Sequence, residues 1–170
     1  RGELLYKLGD LIGTHADRLA LIETRDNGKL LKETSAQVSY LRDYYRYFAG
    51  ISDKIQGETI PLNKSAMLNY TRYEPLGVVA IIVPWNSPLN TLSVSVAPSL
   101  AVGNTVVIKP SEHTSATALE FAKLALEAGF PEGVVNVITG PGETTGHELT
   151  RHPSVAKIAF TGGTQTGRKV

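Results

Sequence analysis

Asn86 stands between two prolines, in Pro84-Trp85-Asn86-Ser87-Pro88, where the loop has little freedom to move. A carboxamide held in such a loop can aim its NH2 group at an oxygen that gains negative charge during a reaction. The same residues also read as an ordinary turn with Trp85 as core filling. Further on, Lys109-Pro110-Ser111-Glu112 sets an ammonium and a carboxylate three residues apart. Together they could grip a ribose, Lys109 donating to one hydroxyl and Glu112 accepting from the other. They equally suit a surface ion pair at a helix start, where Ser111 and Glu112 satisfy free N–H groups. Two glycine-rich stretches follow. Gly140-Pro141-Gly142-Glu143-Thr144-Thr145-Gly146 misses the dinucleotide fingerprint because its last glycine comes one residue late. Phe160-Thr161-Gly162-Gly163-Thr164-Gln165-Thr166-Gly167 could bring backbone N–H groups to a phosphate at a helix start. Residues 162–169 nearly spell a phosphate loop, but Arg168 stands where the lysine is needed and Lys169 where the hydroxyl residue is needed. NTPase chemistry is therefore not expected.

Each of these stretches closes an apolar run. Val78 to Val83, Thr105 to Lys109, Val134 to Ile138 and Ala156 to Phe160 lack the alternation of a half-exposed strand. Between them lie helical patterns at Leu89 to Val102 (despite Pro98), Thr114 to Ala128 and Glu143 to Arg151. Strands of this kind separated by helices predict an α/β fold with a parallel sheet covered on both faces, and ligands at the carboxyl ends of its strands. Upstream, Leu4, Leu5, Leu8, Leu11 and Ile12 predict a helix closed by Gly13. A second is expected over His15 to Glu23, ahead of the turn signal Asp26-Asn27-Gly28, and a third over Ser35 to Ala49, with Gly50 as a left-handed cap. Tyr44, Tyr45 and Tyr47 suggest either a base-stacking surface or a helix half buried by aromatics. Gly57 to Leu62 and Leu68 to Tyr73 predict a protruding hairpin with an exposed edge, joined by Asn63-Lys-Ser65. The expected division is helices over 1–56, hairpin over 57–75 and an incomplete βα-repeat over 76–170.

The 170 residues carry 17 Lys plus Arg and 16 Asp plus Glu, a net charge of +1. Such a balance points away from nucleic acid and from anionic membranes. No run is long enough to span a bilayer and no leader of signal type opens the chain, so a cytoplasmic location is expected. Cysteine is absent, and His15, His113, His147 and His152 lack ligand spacing, so no metal is expected. Arg1 opens directly on a helical pattern and the chain stops at Arg168-Lys169-Val170, where a helix should begin; both features suggest part of a longer protein.

Four stretches together resemble the aldehyde dehydrogenase superfamily: EPLGVVAIIVPWNSP (74–88), GNTVVIKPSE (103–112), EAGFPEGVVNVITG (127–140) and AFTGGTQTGR (159–168). A weaker likeness runs through LALIETRDNGK (19–29) and YYRYFAG (44–50). The resemblance implies a Rossmann-like cofactor domain and NAD(P)-dependent oxidation of an aldehyde to an acid. A Cys thiolate attacks the carbonyl, hydride passes to the nicotinamide, and a base-activated water releases the acid. It implies that Asn86 is the side-chain half of the oxyanion hole. Lys109 and Glu112 would hold the adenosine ribose, Ser111 would also belong to the cofactor site, and Ile82, Val83, Pro84 and Trp85 would line the cofactor channel. Gly142 and Gly146 would flank the adenine. Phe160, Thr161, Gly162, Gly163, Thr166 and Gly167 would meet the pyrophosphate and nicotinamide side. The hairpin at 57–75 would join subunits into a dimer or tetramer.

Three departures stand out. The family's Cys and general-base Glu have no counterpart within these residues, so the chain alone is expected to be inactive. Gly163 replaces a common Ser, and His147 occupies a usually small position near the adenine. Glu112 should repel a 2′-phosphate, which favours NAD, with NADP possible. Small polar residues (Ser87, Asn90, Thr91, with Val94) suggest a polar or roomy aldehyde site. Two other readings remain open: a non-catalytic nucleotide-binding or interaction module, and a relative that acts on acyl phosphates or makes acyl-CoA.

Overall fold

The computed structural model describes residues 1–170. Three helices open the chain: α1 (Gly2–Thr14), α2 (Ala16–Asn27) and α3 (Leu31–Ile51). Then come β1 (Val78–Ile82), α4 (Pro88–Ala101), β2 (Thr105–Lys109), α5 (Ala116–Ala128) and β3 (Val135–Val137). A π-helical turn (Gly142–Gly146), α6 (His147–Arg151), β4 (Val155–Phe160) and α7 (Thr164–Gly167) complete it. The strands form one parallel sheet in the order β3-β2-β1-β4. The chain winds outward from β1 to β3, then returns to place β4 on the far side of β1. A reversal of this kind opens a crevice at the strand ends. The expected α/β parallel sheet is what forms. Burial is uneven, however. Val79, Ala80 and Ile81 of β1 are sealed, whereas Ala156 and Lys157 of β4 are exposed and β3 is half-buried throughout. The sheet's two edges are thus partly open.

One apolar core joins the N-terminal helices to the sheet. Leu5, Leu8 and Ile12 of α1, Val38, Leu41 and Tyr45 of α3, and Leu89, Leu92 and Val96 of α4 pack with Phe121 of α5 and Val106 of β2. Pro98 sits inside α4 without breaking it. A proline there leaves the carbonyl four residues back without its helical donor. That carbonyl belongs to Val94, and the Tyr44 hydroxyl donates to it at 3.2 Å. Next along α3, the fully buried Tyr45 donates to Ser93 Oγ at 3.2 Å, and burial raises its phenol well above the usual range. The tyrosines therefore fasten α3 to α4, although Tyr47 remains exposed.

Four local expectations are corrected. Gly13 does not end a helix, since α1 runs on to Thr14. The Asp26-Asn27-Gly28 signal is not a separate turn: α2 continues through Asn27, and Gly28 at φ 74° is its left-handed cap, donating to Thr24 O at 2.9 Å. Gly50 lies inside α3, because the chain ends that helix with the buried Ser52, whose hydroxyl donates to Ala49 O at 2.9 Å. The hairpin forms a single antiparallel bridge, Thr59 to Tyr70, rather than two strands. Its arms are exposed along almost their whole length, and Pro61 cannot donate to a ladder, so an isolated ribbon has little to hold it.

No helix is long and apolar enough to cross a membrane, and no group of three or more His, Asp or Glu side chains is placed to hold a metal. Gly140, after β3, has φ 149°, and a Cβ there would clash with Thr145 Oγ1. Gly140→Ala should therefore cost about 1–3 kcal/mol in urea unfolding.

Candidate functional site

A cavity of about 590 Å³ opens at the carboxyl ends of β1, β2 and β4, a size suited to a small organic ligand. Seven of the residues singled out from the sequence line it: Ile82, Lys109, Glu112, Gly142, Gly146, Phe160 and Thr166. Pro141, Glu143, His147, Thr150, Lys169 and Val170 complete its wall. A shallower hollow lies between the ends of α1 and α3, at Arg1, Tyr6, Ser52 and Lys54, and takes nothing from any strand end.

Lys109 ends β2 with its side chain 3% exposed. Its Nζ donates to Pro110 O at 2.9 Å and stands 3.7 Å from Glu112 Oε2. An ammonium has three N–H groups and only one is used in a hydrogen bond within the chain, so two are left for a ligand. The aliphatic stem packs against Gly146, where a Cβ would lie 3.6 Å from Lys109 Cδ. Glu112 is 43% exposed at its side chain. Its own backbone N–H, the Lys109 ammonium and the Gly142 N–H hold its carboxyl below the usual range, against the effect of partial burial. A buried donor beside an ionised acceptor is the arrangement that a pair of vicinal hydroxyls would fit.

The glycine-rich loop after β4 has a packing role as well. A Cβ on Gly162 would come within 2.5 Å of Phe160 Cζ, and one on Gly167 within 3.2 Å of Cε1. The loop therefore folds over the Phe160 ring. Gly163 has open space around it, as does Gly142. Thr161 donates its N–H to Ile82 O at 3.0 Å, which stitches the loop to the end of β1.

Other singled-out residues lie off the cavity wall. Val83 is buried in the core and its N–H donates to Lys109 O at 3.1 Å. Pro84 is half-buried, Trp85 is 57% exposed, and Ser111 Oγ accepts the His113 N–H at 3.3 Å. Asn86 is exposed. Its carbonyl accepts from Asn27 Nδ2 at 3.1 Å, and its side-chain amide has no partner within the chain.

The whole chain, residues 1–170, matches the aldehyde dehydrogenase family. The chain belongs to this family. It is 56% identical over its full length to a (Z)-2-((N-methylformamido)methylene)-5-hydroxybutyrolactone dehydrogenase of Acinetobacter baylyi, covering 35% of that protein. Among solved structures it superposes on an NAD-dependent aldehyde dehydrogenase from Sinorhizobium meliloti with a TM-score of 0.96 and 40% identity, over 99% of this chain and 34% of that one. The NAD+ complex of an aldehyde dehydrogenase from Bacillus cereus gives 0.95 and 47%, again over 99% and 34%. The chain thus spans about a third of the length of these relatives.

What the sequence did not reveal is how α2 anchors the site. Glu23 is 1% exposed. Its Oε2 accepts the Leu89 N–H at 3.1 Å, in the first turn of α4, and the Thr117 hydroxyl at 3.2 Å, on α5. Asp26, one turn on, accepts the Ala116 N–H at 2.9 Å and so caps α5. Carboxylates suit both helix starts. The only local signal was a Glu and an Asp three apart, a spacing that puts both on one helix face.

Burial raises the Glu23 carboxyl above its ordinary 4.5, against the Leu89 N–H, the Thr117 hydroxyl and Lys29. The folded state therefore holds this proton more tightly than the unfolded chain does. That contribution to stability is full below pH 4.5 and shrinks as pH rises through the raised value. In urea unfolding, Glu23→Ala should cost about 2–4 kcal/mol, because a buried N–H and a buried hydroxyl lose their acceptor. Glu23→Gln keeps an acceptor, should cost less, and should flatten the loss of stability as pH rises.

Proposed function

We propose that this chain is the cofactor-binding part of an enzyme that oxidises an aldehyde to a carboxylic acid with NAD. The observation that carries the reading is the pair Lys109 and Glu112 in the strand-end cavity, a buried donor 3.7 Å from an ionised acceptor. The pair fits the two hydroxyls of a ribose. The cavity supports the assignment of Gly142, Gly146 and His147 to the adenine end. The loop from Thr161 to Gly167 would meet the pyrophosphate and nicotinamide side, with Ile82 on the cavity wall. Glu112 would repel a 2′-phosphate, which favours NAD over NADP.

The chemistry that NAD supplies is acceptance of a hydride from the aldehyde carbon. None of these 170 residues is Cys, so the nucleophile of the complete protein is a cysteine outside them. Its thiolate adds to the carbonyl to give a thiohemiacetal, and Asn86 donates to the oxygen that becomes negative. The free amide of Asn86, on a loop stiffened by two prolines, supports that role. Residues 57–75 join subunits. Leu68, Tyr73 and Tyr70 there are 76%, 72% and 60% exposed, an apolar surface that a partner would cover.

In the full-length enzyme, Asn86→Ala should lower kcat by about 10²–10³ while NAD affinity holds. Lys109→Met should weaken NAD binding about tenfold in calorimetry, the loss of one charge-assisted hydrogen bond. A wild-type protein that binds NAD but makes no NADH with any aldehyde is a binding module instead, and the oxidation reading falls. Leu68→Lys should reduce the oligomer's mass in sedimentation, and an unchanged mass removes the hairpin from the interface.

A further inference from the structure

Three side chains on and just after α2 reach the loop that carries Asn86 and the helix that follows it. Glu23 Oε2 accepts the Leu89 N–H at 3.1 Å. Asn27 Nδ2 donates to the Asn86 carbonyl at 3.1 Å. Lys29 Nζ donates to Ser87 Oγ at 2.9 Å and to Gln37 Oε1 on α3 at 2.9 Å. Asn27 is itself aimed from behind, because its Oδ1 accepts the Lys29 N–H at 2.9 Å. The segment lies about 60 residues before the loop it holds, and it touches Asn86, Ser87 and Leu89 at successive points.

These contacts are unequal in what they do. Glu23 seats the helix after the loop and is sealed in the core. Asn27 and Lys29 are only half-buried and grip the loop itself. Pro84 and Pro88 limit the loop's torsions, but they leave free its hinge-like tilt at the two ends. Asn86 is exposed, and its own side chain is held by nothing. The direction of its amide therefore depends on where its backbone is pinned. A donor placed an ångström away from a developing charge loses much of its effect.

We propose that Asn27 and Lys29 are positioning residues that set the aim of the Asn86 side chain through its backbone. They touch neither substrate nor cofactor. The proposal rests on the dehydrogenase reading, since it gives a task to the Asn86 amide.

The test is a double-mutant cycle in the full-length enzyme. Asn27→Asp keeps the Oδ1 acceptor for Lys29 and replaces the donor to Asn86 with an oxygen. It should lower kcat about tenfold and leave the KM for NAD within about twofold. In an Asn86→Ala background the same change should alter kcat by less than about twofold, because nothing remains to be aimed. If Asn27→Asp does not fold, Lys29→Met takes its place in the cycle, and Lys29→Arg should restore activity by keeping a donor to Ser87. An unchanged kcat overturns the proposal. So do additive losses in the cycle, which would mark a merely structural role. A wild-type enzyme that oxidises no aldehyde brings down the functional reading itself, an outcome distinct from an active enzyme with additive losses.

Discussion

The carboxylate of Glu23 is the contact on which the rest of the molecule turns. It is sealed from water and shared between α4 and α5, the helices that follow β1 and β2. Burying a carboxylate is unfavourable unless donors meet it. Here a helix N–H and a hydroxyl do so on one oxygen, while the other oxygen has no partner. With Asp26 on Ala116 and the Arg18–Glu120 ion pair beside them, α2 holds both helices by their starts. Each start lies just beyond a strand end, so fixing one helix against the other fixes the spacing of the residues at those ends.

That spacing is useful because of the strand order. Had β4 followed β3 along the same edge, Phe160 and the glycine loop would lie on the far side of β2. Instead β4 pairs with β1, and the end of β1 and the loops after β2, β3 and β4 converge on one cavity. Within it the charges are divided by burial. Lys109 is enclosed and keeps a free donor, whereas Glu112 faces solvent and stays ionised. Glycine serves two purposes around this cavity. Gly146 admits the lysine stem, and Gly162 and Gly167 admit the Phe160 ring.

Much of this was legible residue by residue. Continuous Val and Ile runs marked the buried strands, and Gly129 at φ 97° closes α5 just past the helical pattern that ends at Ala128. The strand ends stand out from the chain alone, but cofactor roles for Lys109, Glu112, Gly142 and Gly146 came from the family resemblance, and all four line the cavity. The failures share a cause. Gly50 has the local features of a cap, but the buried Ser52 ends that helix, supported by the Arg1 guanidinium on its carbonyl at 3.2 Å. The hairpin residues favour strand, but nothing packs against them. Local preference is overridden wherever a distant side chain supplies, or fails to supply, the missing partner.

By itself the sequence determined the helices and strands of the βα-repeat, their order, and the family, because these depend on short-range periodicity and on motifs read in line. Only the tertiary structure decided which strand ends share a cavity, that Lys109 is buried while Glu112 is not, and that a helix near the start of the chain holds the loop of Asn86. Those outcomes rest on hydrogen bonds between residues 59 to 94 positions apart. Whether such pairs meet depends on how the whole core closes, and no local pattern in the chain carries that information.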